Sequence, residues 1–202
     1  MTGVRTVTST ANAVDMGTVG GTIDLQGVGG GNFTVSAGTG ATLATVDDIA
    51  GGGANSLVVD AGNTGAGNVQ VGDIGAADEV LNVSVDVGDN GNATFGSIDA
   101  DGAVTVTNAN QVIWNGTVGG VDAPISISAS AANVNTGMVI NADLTASGAV
   151  TLGTTAGDID VTGVRTVTST ANAVDMGTVG GTIDLQGVGG GNFTVSAGTG
   201  AT

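Results

Sequence analysis

Two short glycine turns carry the side chains best suited to chemistry in this chain, and that chemistry is cation binding. The turns read DVGDNGN and DADG, and their oxygen-bearing side chains are Asp86, Asp89, Asn90, Asn92, Asp99 and Asp101. Carboxylate and amide oxygens that alternate around a glycine resemble parts of a calcium loop. No closing glutamate follows, and Asp, Asn and Gly are also the preferred residues of plain turns. The sequence therefore predicts candidate Ca²⁺ ligands, with ordinary turn chemistry and non-specific attraction of divalent ions as the alternatives.

Catalytic chemistry has few groups to draw on. The chain contains no His, Cys, Lys or Tyr, and its two basic residues are Arg5 and Arg165, each expected to pair with an aspartate of a neighbouring strand. General acid–base work would fall to the aspartates and to Glu79, the single glutamate. Ser and Thr are abundant, but no base is evident that would activate them. We therefore predict a non-catalytic protein, and an enzyme acting on acidic polysaccharides is the alternative.

Three further features have simple interpretations. The stretches GVGGGN (27–32) and AGGGAN (50–55) lack the Lys-Ser/Thr of a phosphate loop and are interpreted as corners or excursions. Threonine pairs such as Thr105 and Thr107 would suit ice binding if they recurred at a regular period, which they do not in the sequence. Trp114, the single tryptophan, is expected in the core or at a corner, with an exposed partner contact as the alternative.

A long repeat dominates the organisation of the chain. Residues 162–202 repeat residues 2–42 without a single difference, 160 positions later. An identity of this length indicates a tandem array, and internal periodicity has to be settled before any fold is assigned. We predict that residues 2–161 form one full unit, that the second copy begins an identical unit, and that Met1 is an added start residue. A natural protein with one duplicated end is the alternative.

The composition indicates strands and tight turns. Glycine accounts for 39 of 202 residues and hydrophobic residues for 41%, whereas helix-forming residues are scarce. A glycine-rich acidic chain could remain disordered, but Val and Ile fall in alternating patterns that favour a folded chain. The formal net charge of −16 argues against nucleic acid and anionic membranes as partners. No apolar run reaches the roughly 18 residues expected of a membrane-inserted helix.

Short strand patterns recur along the whole chain. Runs such as SLVVDA (56–61) and AVTVTN (103–108) alternate apolar and polar residues, as strands with one buried face do. A second pattern, apolar–x–apolar–x–x–apolar, precedes many of them, for example VQVGDI (69–74) and ATFGSI (93–98). The last apolar residues of this pattern are Val19, Ile49, Ile74, Ile98, Val118, Leu144, Ile159 and Val179. They divide the 160-residue offset into seven steps of about 23 residues, a whole number of coils.

This period predicts an all-β chain folded as a parallel β-helix, or β-solenoid, with about seven coils per 160-residue repeat. Coils would stack by parallel strand pairing at about 4.8 Å each, with apolar side chains inside and Gly and Asn at positive-φ corners. Residues 1–202 would form one continuous solenoid. A β-sandwich is the alternative fold, although sandwich cores usually recruit the aromatic residues that are scarce here.

The repeats resemble the β-helical shafts of filamentous-haemagglutinin-like proteins and autotransporter passengers of bacteria. The segments that carry the resemblance are MGTVGGTIDLQG (16–27), SGAVTLGTTAGDIDVTG (147–163) and AGDIDVTGVRTVTST (156–170). The resemblance is one of sequence style over nearly the whole chain and brings no catalytic residues with it. It implies export across a Gram-negative envelope, an extracellular or cell-surface location, and a rod that builds a fibre or displays binding sites.

The sequence thus predicts a non-catalytic structural segment of a secreted bacterial surface fibre or adhesin stalk. Its expected partner is itself, through head-to-tail stacking, because cut ends would expose strand edges and an apolar core. The alternative is an adhesin module that recognises a glycan or a cell-surface receptor. No cofactor is expected apart from the candidate Ca²⁺.

Overall fold

The structure, a computed structural model, describes residues 5–16, 23–24, 31–38, 40–43, 49–50, 55–61, 68–76, 79–119, 123–130, 132–186 and 192–202. This part of the chain forms strands and turns without an α-helix, and it holds no helix of the length and apolar character needed to cross a membrane. The strands are, in chain order, β1 (Arg5–Ser9), β2 (Val14–Asp15), β3 (Ile23–Asp24), β4 (Gly31–Ala37), β5 (Gly40–Leu43), β6 (Ile49–Ala50), β7 (Asn55–Asp60), β8 (Asn68–Val71), β9 (Val83–Asp86), β10 (Asn92–Phe95), β11 (Ala103–Trp114), β12 (Ser126–Ala129), β13 (Val134–Ile140), β14 (Leu144–Ala146), β15 (Val150–Leu152), β16 (Asp158–Thr162), β17 (Arg165–Ser169), β18 (Ala173–Asp175), β19 (Ile183–Gln186), β20 (Phe193–Ala197) and β21 (Gly200–Ala201).

The strands stack in three faces, and every described strand pair is parallel. Face A consists of β1, β4, β7, β9, the first half of β11, β12, β15, β18 and β21. Face B consists of β2, β5, β8, β10, the second half of β11, β13, β16 and β19. Because β11 runs through the corner between them, faces A and B form one 16-stranded sheet.

Face C is built from shorter ladders. Its longest strands, β14, β17 and β20, pair in that order. They continue a ladder of single bridges that joins Ile74, Ile98, Val118 and Leu144. β3 and β6 pair with each other and take the same place in chain order, after a strand of face B and before a strand of face A. The predicted all-β parallel solenoid is therefore confirmed.

The two copies of the repeat lie on different faces. β1 and β17 consist of the same five residues, yet β1 lies on face A and β17 on face C. In the same way β2 lies on face B and its copy β18 on face A. From β1 to β15 the chain completes six turns, and β17 follows two faces later. The 160-residue offset thus spans six and two-thirds turns of about 24 residues, so successive copies are related by one third of a turn.

The predicted whole number of coils is therefore wrong, and the marker residues show why. Ile74, Ile98, Val118 and Leu144 do pair in register. The next partner of Leu144 is Val167, however, whereas the predicted marker Ile159 pairs with Met138 and Ile183 on face B. The predicted marker Val179 pairs with Thr154 at a corner, and Val19 lies outside the described residues. Leu144 lies on face C and Ile159 lies two faces later, on face B. The step between them is therefore two-thirds of a turn and not a full turn.

Apolar side chains, most of them small and aliphatic, fill the interior in register. On face A one inward row runs from Phe33 through Leu57, Val83 and Val104 to Ile127, and every member is 2% exposed or less. Side chains of this size suit a narrow core because each coil brings few atoms to the interior. Removing their apolar surface from water is the main stabilising contribution to each coil.

Glycine occupies the sharpest corners because the next coil approaches its backbone. Gly75 has a φ of 79°, and a Cβ there would lie 2.1 Å from the carbonyl oxygen of Asp99. Gly119 has a φ of 72°, and its Cβ would lie 2.3 Å from the carbonyl oxygen of Thr145. Positive φ is confined to glycine among the described residues. The expectation that asparagine also takes positive-φ corners is not met there.

Candidate functional surfaces

Aspartates hold one coil to the next at the corners. The Oδ1 atom of Asp73 accepts hydrogen bonds from the backbone N–H and the hydroxyl of Ser97, at 3.1 and 2.5 Å. The Oδ1 atom of Asp143 accepts from the N–H of Thr166 at 2.8 Å. Asp158 repeats the arrangement, with Oδ1 at 2.7 Å from the Thr182 nitrogen. Each carboxylate therefore satisfies a backbone donor about one coil further along the chain.

These structural aspartates were not singled out from the sequence, although a signal for them exists. Asp73, Asp143 and Asp158 each immediately precede an apolar residue of the apolar–x–apolar–x–x–apolar pattern, in GDI, ADL and GDI. Ser97 precedes Ile98 in the same way, and it is the donor to Asp73. A polar residue before the last apolar position thus marks a corner contact between coils.

Amide side chains form a second stack along the edge of face B. Asn68 Oδ1 accepts from the backbone N–H of Asn92 at 3.2 Å, and Asn92 Oδ1 accepts from Asn110 Nδ2 at 3.2 Å. The hydroxyl of Thr136 then donates to Asn110 Oδ1 at 2.8 Å. A parallel contact joins Asn141 Nδ2 to Asn115 Oδ1 at 2.8 Å. Stacked amides of this kind tie neighbouring turns together through their side chains.

The first predicted calcium turn lies at the corner between faces A and B. Asp86, at the end of β9, is half-buried and accepts a 3.0 Å hydrogen bond from the Gly88 N–H. Asp89 and Asn90 are exposed in the turn that follows, and the Asp89 carbonyl accepts from Asn135 Nδ2 at 2.9 Å. Asn92 belongs to the amide stack, where its Oδ1 accepts from Asn110. In this turn Asp86 and Asn92 therefore have structural partners.

The second predicted turn lies at another corner, between Ile98 of face C and the first half of β11 on face A. Asp99 is buried, at 9% exposed, and its backbone N–H donates to the Ile74 carbonyl at 2.8 Å. Asp101 is exposed. The fold thus places the two acidic turns at separate corners, and within the described ranges no three acidic side chains are grouped as metal ligands. Calcium binding by either turn stays a prediction.

Hydroxyl groups form one outward row on face A. Thr6, Thr34, Ser84, Thr105, Ser128 and Thr151 lie along it, with Val58 as an interruption. The neighbouring row begins with Thr8 and Ser36 but continues with Asp60 and Asp86. A double threonine row does not form on this face, so its outer surface mixes hydroxyls with carboxylates.

A shallow polar cleft opens at the corner after face A. It encloses about 170 Å³ and is lined by Ser130, Ala132, Thr151, Leu152, Asp175 and Thr178. A second cleft of about 270 Å³ lies beside β1, lined by Thr8, Ser9, Thr10, Ser36, Ala37, Gly38 and Asp60. The copy of Ser9 in the second repeat, Ser169, is only 2% exposed because a neighbouring coil covers it. The cleft beside β1 thus lies at the end of the described stack, and the 170 Å³ cleft lies where β18 pairs with β15.

The last described coil leaves apolar side chains exposed. Ile183 and Leu185 on β19 are 42% and 53% exposed, whereas their partners Ile159 and Val161 on β16 are 0% and 1% exposed. Val7 on β1 is 37% exposed, and its copy Val167 is fully buried. Both ends of the described stack thus present the same kinds of residue that are buried between coils elsewhere.

Trp114 lies in the core, as expected, and is fully buried. Its ring stacks on Phe95 of the preceding coil, with 4.8 Å between centroids and 17° between planes. Within the described part of the chain no ion pair of Arg165 is seen, and its Nη1 donates to the Val164 carbonyl at 2.8 Å. The poly-glycine segments 27–30 and 51–54 lie outside the described residues.

Comparison with known proteins adds no relative to this picture. No family model, no curated protein and no solved structure has a detectable match to the chain.

Proposed function

We propose that this chain is a non-catalytic structural segment of an extracellular bacterial fibre or adhesin stalk, built from tandem units that stack as one continuous solenoid. The observation that carries the proposal is the junction between the units. The second copy continues all three ladders of the first unit, since β17 pairs with β14, β18 with β15 and β19 with β16. A unit that adds coils without interrupting the ladders can be repeated to any length.

The junction has the same kinds of contact as the interior. Leu144 lies opposite Val167, and both are fully buried. The Thr170 N–H donates to the Ala146 carbonyl at 3.0 Å. Because each coil contacts mainly its neighbours, stability should be approximately a sum of coil and nearest-neighbour contributions, and longer arrays should fold more stably. Backbone hydrogen bonds along the axis would give such a rod its stiffness.

The surface is consistent with an exposed, soluble rod. A net charge of −16 keeps neighbouring rods apart and favours solubility. The extracellular bacterial location rests on the resemblance of segments such as AGDIDVTGVRTVTST (156–170) to adhesin shafts. Head-to-tail stacking of coils is the expected mode of self-association.

Arrays of increasing length test the proposal. Chains of one, two and four complete units should form rods that lengthen by about 32 Å per unit, because six and two-thirds turns rise about 4.8 Å each. Electron microscopy and X-ray scattering would measure the increment. Arrays that form separate globular beads, or whose length does not scale with unit number, would contradict the proposal.

The second candidate function is glycan recognition by an adhesin surface, and the corner cleft favours it. Thr151 and Thr178 supply hydroxyls and Asp175 a carboxylate around the 170 Å³ space. Hydroxyl and carboxylate groups are suited to hydrogen bonding with sugar hydroxyls. Binding of the chain on a glycan array, lost on Asp175→Ala and kept on Asp101→Ala, would support this function. An array without binding would leave the stalk as the sole proposal.

A further inference from the structure

The last coil of the first unit is an acceptor surface whose ligand is visible in the chain itself. Its strands β14, β15 and β16 each carry a strand of the second copy on one edge. The three strands that lie there, β17, β18 and β19, belong to residues 162–202, which are identical in sequence to residues 2–42. We propose that this edge binds residues 2–42 of a second copy of the chain, in the same register and turned by one third of a turn. The inference refines the head-to-tail stacking of the proposed function and rests on it.

The contacts at the edge are specific to one register. Leu144, Thr145 and Ala146 lie opposite Val167, Thr168 and Ser169. The Ser169 hydroxyl donates to the Gly148 carbonyl at 2.6 Å, and the Thr166 N–H donates to Asp143 Oδ1 at 2.8 Å. Apolar burial, a hydroxyl bond and a carboxylate acceptor therefore select the same alignment.

Strand β1 of the first copy has the same residues as β17 of the second copy, but it is more exposed to solvent. Among the described strands β1 pairs only with β4. Val7 is 37% exposed, whereas Val167 is fully buried. Ser9 receives a 3.2 Å hydrogen bond from the Asn12 N–H, as Ser169 does from Asn172 at 3.0 Å. The local geometry of the first copy thus already matches the docked form, and an acceptor edge from another copy would cover its exposed side.

The docked copy must be rotated. β1 lies on face A of its own chain, but its position on the edge of β14 is on face C of the acceptor. Three units, about twenty turns, are needed before a face returns to its starting direction. A fibre assembled in this way presents each surface feature of a unit on three sides in succession, including the corner cleft at Thr151, where Asp15 of the docked copy would take the place of Asp175.

Residues 2–42 of a second chain would compete for this edge with residues 162–202 of the same chain, which are the tethered copy. Strands β17, β18 and β19 occupy the edge from within the chain, and a tethered segment has a high effective concentration. The folded chain should therefore be monomeric at first. Unfolding and refolding at high protein concentration would let residues 2–42 of a neighbour take the place instead, as in domain swapping.

Two substitutions at equivalent positions give opposite expectations. Val167→Asp weakens the binding of residues 162–202 to the edge and leaves residues 2–42 unchanged. Refolding should therefore produce more head-to-tail oligomers than refolding of the wild-type chain does. Val7→Asp weakens the binding of residues 2–42 to the edge of another chain, so refolding should produce fewer oligomers than refolding of the wild-type chain does. Size-exclusion chromatography with light scattering measures the oligomers, and circular dichroism shows that each variant is folded. Equal oligomer levels in the two folded variants, or no oligomers in either, would overturn the inference.

A cross-link decides the register even if Val167→Asp does not fold. The chain has no cysteine, so Thr8→Cys and Thr145→Cys introduce the sole thiols. Thr145 lies opposite Thr168, the copy of Thr8. In refolded oligomers this pair should cross-link between chains, and the pair Thr8→Cys with Thr151→Cys should not. The reverse pattern, or no oligomers to cross-link, overturns the inference, whereas arrays that still lengthen with unit number would leave the stalk proposal standing.

Discussion

Val7 and Val167 occupy the same place in two identical sequences, yet they lie on different faces of the solenoid. Val7 pairs with Val35 on face A, and Val167 lies between Leu144 and Val195 on face C. The pairing within each copy is nevertheless unchanged, since Val195 is the copy of Val35. The described strands of the two copies therefore pair alike in two orientations, which requires a core that accepts small apolar side chains from more than one face.

Gly157 should be intolerant of a side chain. A Cβ at this position would lie 1.4 Å from the carbonyl oxygen of Thr136, whereas a Cβ at Gly200 has no atom within 4 Å. Gly157→Ala should lower the free energy of unfolding by about 2 kcal/mol or more, because the neighbouring coil must shift. Gly200→Ala should change it by less than about 0.5 kcal/mol. Denaturant unfolding followed by circular dichroism measures both, and equal midpoints would show that the coils are not packed this closely.

Asp73 should stabilise the stack through its acceptor oxygen. Asp73→Ala removes the partner of the Ser97 N–H and hydroxyl and should cost about 1–3 kcal/mol, as expected for bonds to a charged group. Asp73→Asn retains a carbonyl oxygen and should cost less. Exposed Asp101 provides the control Asp101→Ala. Hydrogen exchange of the Ser97 amide should accelerate in Asp73→Ala; unchanged protection would rule out the corner bond.

Asp160 should be a source of repulsion between coils. It lies directly opposite Asp184 on face B, and like charges in register destabilise neighbouring strands. Asp160→Asn should raise the free energy of unfolding by about 0.2–1 kcal/mol at low salt. The gain should shrink in about 1 M NaCl, where the screening length is roughly 3 Å. A gain that is independent of salt would point to a cause other than charge.

Trp114 should be the largest single contributor to the core. It is fully buried and stacked on Phe95, so Trp114→Ala should cost about 3–5 kcal/mol. Ile125 is 63% exposed, and Ile125→Ala should stay within about 0.5 kcal/mol of the wild-type chain. Chemical denaturation monitored by far-ultraviolet circular dichroism compares the variants. Similar losses for both would mean that Trp114 is not enclosed by neighbouring coils.

Much of the fold could be predicted from alternation and period. The markers Ile74, Ile98, Val118 and Leu144 were identified from spacing alone, and they pair in the structure. The phase could not be predicted, because all three faces use the same alternating pattern of small apolar residues. The tripeptide GDI at 72–74 ends at Ile74, which forms a single bridge on face C. The same tripeptide at 157–159 ends at Ile159, which lies in strand β16 of face B. The local sequence does not distinguish these positions; the pairing of whole coils does.

The candidate site was harder to predict for a different reason. Asp86 and Asp73 are both aspartates next to a glycine-containing turn, yet the sequence pattern indicates only Asp86 as a candidate cation ligand. The direction of the side chain decides: Asp73 accepts from Ser97 of the next coil, and Asp86 accepts from Gly88 within its own turn. Such directions depend on how coils stack, so they follow from the fold and not from residue type.

One pair of cross-links tests the account most directly. In the full chain, which has no native cysteine, Thr145→Cys with Thr168→Cys should join readily at high dilution, because these residues lie opposite each other on face C. Thr151→Cys with Thr166→Cys should not, although a repeat containing a whole number of turns would bring this pair together on face A, because Thr151 continues the row of Thr6, the copy of Thr166. Efficient linkage of the first pair and none of the second is the predicted result. Linkage of the second pair, or of neither, would contradict a solenoid whose units advance by six and two-thirds turns.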